Sequence, residues 1–130
     1  MNVIELAKQL GEALSGSEEF IRYRAADEAY HSDSEALRLA DEYGKKSEEL
    51  AKELSKDGIT PSEMIKIRQQ MSAEYGALCL NPVIKEFIDS KQAAENLLSE
   101  VNSIIHFYVT GEEEQPGGCS GSCSSCSGCH

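Results

Sequence analysis

The chain has no tryptophan, three phenylalanines, five tyrosines and only three prolines. With scarce aromatics and scarce proline, the composition favours helix. Basic residues are also few: twelve lysines and arginines stand against twenty-three acids, for a net charge of −11 and a pI near 4.6. A direct binder of DNA or RNA carries a basic face, and here the basic residues are interleaved with acids, so no direct nucleic-acid contact is expected. The acidic balance belongs to solvated helix faces. Long apolar runs are missing too. The start, Met1-Asn2-Val3-Ile4-Glu5-Leu6, has neither a basic region nor an apolar core, so no signal peptide or membrane insertion is expected. The expected compartment is the cytoplasm, where thiols stay reduced. There is no nucleophile paired with a base, no glycine-rich phosphate loop and no carboxylate pair distinguishable from ordinary helix surface, so the chain is not expected to be an enzyme.

What is there is Ala, Leu, Glu and Lys at helical spacing, which sets the class as all-α: a bundle of about five long antiparallel helices with a flexible Cys-rich C-terminal tail. The organisation read from composition is a helical domain at 1–110, an acidic and glycine-rich linker at 111–118, and a cysteine-rich tail at 119–130. A body of roughly 110 residues buries a modest core, and bodies of that size often complete theirs by association.

Asn2 and Glu5 have capping-box spacing ahead of Val3, Leu6, Leu10 and Leu14. Ser15-Gly16-Ser17 ends that helix and supplies a serine cap for the next, whose face is Phe20, Tyr23, Ala26 or Asp27, and Tyr30. His31-Ser32-Asp33 reads as a break, with Ser32 and Glu35 again at capping-box spacing. From about Ser34 to Lys56, Ala36, Ala40, Tyr43, Ser47, Leu50 and Leu54 alternate by four and three as a heptad seam. Asp57-Gly58-Ile59 is a turn, and Thr60-Pro61-Ser62-Glu63 starts a helix carrying Met64, Ile67, Met71, Tyr75 and Leu78. Asn81-Pro82 repeats that grammar. The last helix carries Ile84, Phe87, Lys91, Ala94, Leu98, Val101, Ile105 and Tyr108, with Lys91 as the polar interruption. Taken to Val109 it is about 42 Å long, so it runs beside another long helix or projects into a partner. Thr110-Gly111 stops it.

Four of the five cysteines sit in the tail, Cys119-x3-Cys123-x2-Cys126-x2-Cys129, separated by serine and glycine alone, with His130 behind them. Four thiolates this close suit a four-iron cluster or another soft metal such as zinc. The run Cys123-x2-Cys126-x2-Cys129 matches the three-ligand run of bacterial ferredoxins. The spacing Cys119-x3-Cys123-x2-Cys126 also occurs in radical-SAM enzymes, but those need a large α/β barrel, for which this sequence has no strand pattern. Zinc, a metal-free thiol tract and a tail without a role remain open on spacing alone. Cys79, between Leu78 and Leu80, reads as a buried structural thiol. His31, read as a loop residue, and His106, on the last helix, have no partner at ligand spacing.

The short first helix, Glu19-Phe20-x-x-Tyr23 at the start of the second, and Asn81-Pro82-x-Ile84-x-x-Phe87 leading into the last helix together resemble the YlbF/YmcA family of Firmicutes, over roughly residues 2–109. The cysteine-rich tail turns the resemblance toward the YlbF branch. It implies long antiparallel helices that self-associate or pair with paralogues. It implies a regulatory, non-catalytic role in competence, sporulation and biofilm formation, and in assisting ribonuclease Y in mRNA maturation. Partners would be YmcA-like and YaaT-like subunits in an assembly carrying iron–sulfur clusters, and by that resemblance Cys119, Cys123, Cys126 and Cys129 would be cluster ligands. Alternatives from other classes are a small metal-handling protein carrying zinc or copper, and a structural helical dimer with a dispensable tail.

Overall fold

A computed structural model describes residues 2–112. The chain is all-α: α1 is Val3–Ser15, α2 Glu18–His31, α3 Ser34–Leu54, α4 Pro61–Leu78 and α5 Pro82–Thr110. It divides into two compact units, Met1–Ala94 and Glu95–His130.

In Met1–Ala94, each helix starts where a short polar side chain can take up an orphan N–H. Asn2 Oδ1 accepts from Glu5 N at 2.8 Å, Ser17 Oγ from Phe20 N at 3.3 Å and Thr60 Oγ1 from Glu63 N at 3.2 Å. Asn81 Oδ1 accepts from both Val83 N and Ile84 N. The α2–α3 break departs from the sequence pattern. Ser32 is the C-cap of α2, and Asp33 caps α3, its Oδ1 accepting from Ala36 N at 2.9 Å. A carboxylate one position later has the same reach as a serine and adds a charge at the positive end of the helix. Gly58 makes the α3–α4 turn with φ 79°, a left-handed conformation that favours glycine.

α3 and α4 form an antiparallel hairpin. Tyr43 and Tyr75 pair their rings at 6.1 Å far from the turn, whereas Glu53, Lys56, Glu63 and Ile67 line one groove next to it, the order that an antiparallel pair requires. The heptad seam of α3 holds: Ala36 and Leu50 are buried, and Ala40, Tyr43, Ser47 and Leu54 are half-buried. On α2, Ala26 is buried while Phe20, Tyr23 and Tyr30 are half-buried. The buried apolar side chains are Ala26, Ala36, Leu50, Ile84 and Ala94, and alanine there lets helix backbones approach closely. α1 buries none of its residues, and Val3 and Ile4 are largely exposed.

On α5 the inward residue is Ser90, fully buried, and not Lys91, which is exposed. The less exposed positions Phe87, Ser90, Ala94, Leu97 and Val101 alternate by three and four. Serine fits because its hydroxyl donates to the Phe87 carbonyl of its own helix at 3.2 Å, so no polar atom is left unpaired. No buried side-chain nitrogen or oxygen lacks a partner among the described residues.

In Glu95–His130, the described part is the rest of α5 and its stop. Gly111 takes φ 78° and donates its N–H to the Phe107 carbonyl at 2.7 Å, an αL termination. Thr110 Oγ1 donates to the His106 carbonyl, and the Phe107 and Tyr108 rings meet edge to face at 5.5 Å.

Candidate functional site

The expected cluster ligands Cys119, Cys123, Cys126 and Cys129 lie outside the described residues, as does His130. Among the described residues no group of three or more His, Cys, Asp and Glu could hold a metal ion, and no helix is long and apolar enough to cross a membrane.

The chemistry within the described residues gathers at the α4–α5 junction. Cys79 is the C-cap of α4 and is half-buried, not the fully enclosed thiol that its neighbours Leu78 and Leu80 suggested. Leu80 is 83% exposed, so one flank of the thiol is open. Cys79 lies one turn after Tyr75 at the end of α4. The influence of the Cys79 thiol as a hydrogen-bonding and charged neighbour, followed by burial and the charges of Tyr43 and Asp89, pushes the Tyr75 phenol above the ordinary tyrosine value. Lys85 donates to Asp89 Oδ2 at 2.6 Å, and this hydrogen bond leads the causes that raise its pKa. The junction therefore holds a neutral phenol, a thiol and a lysine–carboxylate pair side by side. The i,i+4 spacing of Tyr75 and Cys79 was readable in the sequence, although only the structure shows both on one open edge.

A second cluster joins α2 to α5. Arg22 grips Glu86 in a bidentate pair, Nε to Oε2 at 2.8 Å and Nη2 to Oε1 at 2.7 Å. The hydrogen bonds from Arg22 hold the Glu86 carboxyl below the usual carboxylate range. Beside it, Phe87 stacks on Tyr30 at 4.6 Å and meets Tyr23 at 5.9 Å. His31 is the last residue of α2 rather than a loop residue. Its Nδ1 is 2.9 Å from the Asp27 carbonyl, and its ring stands edge-on to Tyr30 and Phe87. The tyrosines at 23, 30, 43 and 75 thus lie in helix contacts, while Tyr108 is 81% exposed. His106 is exposed on α5, as its isolation in the sequence suggested.

Two open grooves of about 370 and 310 Å³ flank the α3–α4 hairpin. The first is lined by Glu53, Lys56, Asp57, Glu63 and Lys66, the second by Glu42, Tyr43, Lys46 and Glu74 along with apolar residues. Their mixed and exposed charges are those of helix surface.

The order of capped helices and the Asn81-Pro82 step into a long last helix belong to a known group. Residues 3–110 match the family described as "Control of competence regulator ComK, YlbF/YmcA". The chain belongs to the YlbF/YmcA family. Curated relatives include a "UPF0342 protein" of Caldicellulosiruptor saccharolyticus, 31% identical over 117 residues, covering 89% of this chain and 94% of that protein. Another "UPF0342 protein", of Caldicellulosiruptor bescii, is 30% identical over 114 residues, covering 87% and 92%. No solved structure matches the chain. A family named for control of a competence regulator assigns this YlbF/YmcA member a regulatory role. Its matched region ends with α5, before the tail cysteines.

Proposed function

We propose that this chain is a non-catalytic cytoplasmic regulator that works through protein partners, assisting ribonuclease Y-dependent mRNA maturation beside YmcA-like and YaaT-like subunits. The observation that carries the reading is the family match across all five helices. The net charge of −11 supports action through proteins rather than by direct contact with RNA.

The tail adds the cofactor part of the proposal. Cys119, Cys123, Cys126 and Cys129 would hold a four-iron cluster. The donor set fits: four soft thiols lie close in sequence, and the serines and glycines between them offer backbone N–H groups to sulfur. A cluster of this kind supplies a rigid cross-link between its ligands and a one-electron centre.

The test has two arms. In a strain lacking the chain, ribonuclease Y-dependent cleavage products of polycistronic mRNA should fall and return on complementation; unchanged transcript patterns would remove the regulatory reading. Protein purified without oxygen, alone and with its partners, should contain iron with matching sulfide. Zinc without iron from such a preparation would move the tail to zinc binding, and no metal would leave it a thiol tract.

A further inference from the structure

At 100° per residue, Leu97, Leu98, Val101, Ile104, Ile105, Phe107, Tyr108 and Val109 fall on one continuous stripe of α5. It spans roughly 200° of the helix, about twice the arc that a helix needs to face one core. Leu97 and Val101 are half-buried, but Ile104 is 52%, Tyr108 81% and Val109 77% exposed. An apolar surface of this kind marks a docking site.

Charge decides which occupant suits it. No lysine or arginine follows Lys91, whereas Glu95, Glu100, Glu112, Glu113 and Glu114 do. On the helical wheel Glu100 falls at the Phe107 margin of the stripe and Glu95 just beyond the Val109 margin. Glu112 follows the helix end. A second copy laid on this stripe adds acidic margins and no basic one, and like charges across an interface count against pairing. A helix with an apolar stripe bordered by Lys and Arg satisfies both the apolar strip and its acidic margins.

We propose that the end of α5 is a docking surface for an amphipathic helix with basic margins, supplied by a different protein. This deepens the partner-binding reading above and rests on it. The surface gives affinity through Tyr108, Val109 and Ile104, and orientation through Glu95 and Glu100.

The test uses the full chain and two synthetic helical peptides that share leucines at heptad spacing, one flanked by lysines and one by glutamates. Titration calorimetry should show the lysine peptide binding at least about tenfold tighter, with affinity falling as salt rises. The double variant Tyr108→Ser, Val109→Ser, whose sites are too exposed to carry the fold, should keep its helical circular dichroism and lose at least about tenfold in affinity. Equal binding of the two peptides, or unchanged binding by the double variant, would overturn the proposal. So would a solution mass that doubles with concentration in wild type and stays at one chain in the double variant, because a second copy would then hold the surface. Such failures leave the mRNA-cleavage test standing, since that test reads the whole protein with its natural partners.

Discussion

Arg22 on α2 and Glu86 on α5, sixty-four positions apart in sequence, meet as a fork-to-fork pair through two hydrogen bonds of 2.8 and 2.7 Å. The pair is half-exposed and its worth at neutral pH is small, but it clamps the α5 start beside the Phe87–Tyr30 stack.

That geometry sets an acid response. The Glu86 carboxyl, and that of Glu35 beside Arg38, are held below their ordinary value of 4.5. A depressed carboxylate stabilises the fold above its unfolded value, and that contribution is lost as pH falls through the lower folded value. Thermal unfolding followed by circular dichroism should therefore show a midpoint that drops as pH falls below about 4.5. Arg22→Ala should make the drop shallower. An identical pH profile in the variant would show that the pair is not coupled to folding.

Leu50 is the largest buried apolar side chain of α3, at 3% exposed. Leu50→Ala should destabilise the protein by about 2–5 kcal/mol through lost transfer energy and the cavity left behind. Urea unfolding would read this as a lower midpoint with a similar slope. A change below about 0.5 kcal/mol would mean that the α3 seam is not the core.

Ser90 offers a paired test of packing against polarity. Ser90→Ala removes only a bond to its own helix carbonyl and should cost less than about 1 kcal/mol. Ser90→Leu puts bulk into a fully enclosed position and should cost about 1–3 kcal/mol or more. If the leucine variant were as stable as wild type, Ser90 would not sit at a close helix approach.

Changing Cys79 to Ser removes the thiol that leads the causes holding Tyr75 high. Spectrophotometric titration of the phenols should then show one tyrosine moving down toward its ordinary range. No movement would separate the two side chains in solution.

Replacing Cys119, Cys123, Cys126 and Cys129 by serine should abolish iron binding while leaving the helical signal unchanged, because α5 ends at Thr110. Retained iron would place the ligands elsewhere, and lost helicity would tie the tail to the fold.

The helix starts were legible because a cap is a local event. Asn2, Ser17, Thr60 and Asn81 each hydrogen-bond an N–H two or three residues on, and the sequence shows that spacing directly. Ser32 and Asp33 stood side by side, both able to cap, and only backbone geometry picked Asp33. The α3 seam was legible because its apolar residues recur at one period. The α5 seam held at Ile84, Phe87, Ala94 and Val101 but shifts by one residue at Ser90 and Leu97, because a search for apolar letters passes over Ser90, whose hydroxyl is satisfied within its own helix. Cys79 was read from its leucine neighbours, but neighbours in sequence point to different faces of a helix end. The tail announced its donor atoms without announcing what they hold, since four thiols suit several soft metals.

The sparse interior of Met1–Ala94, three alanines with one leucine and one isoleucine, has a calorimetric consequence. The hydrocarbon that unfolding uncovers comes largely from half-buried seams such as Leu39, Leu54, Met64, Ile67 and Met71, and hydrocarbon hydration is what makes the heat capacity rise. The free energy of this fold should therefore bend less with temperature than that of a fold of the same length with a densely enclosed core. Cooling gains it little, heating erodes it gradually, and any molecule that covers α1 or the end of α5 deepens that curvature.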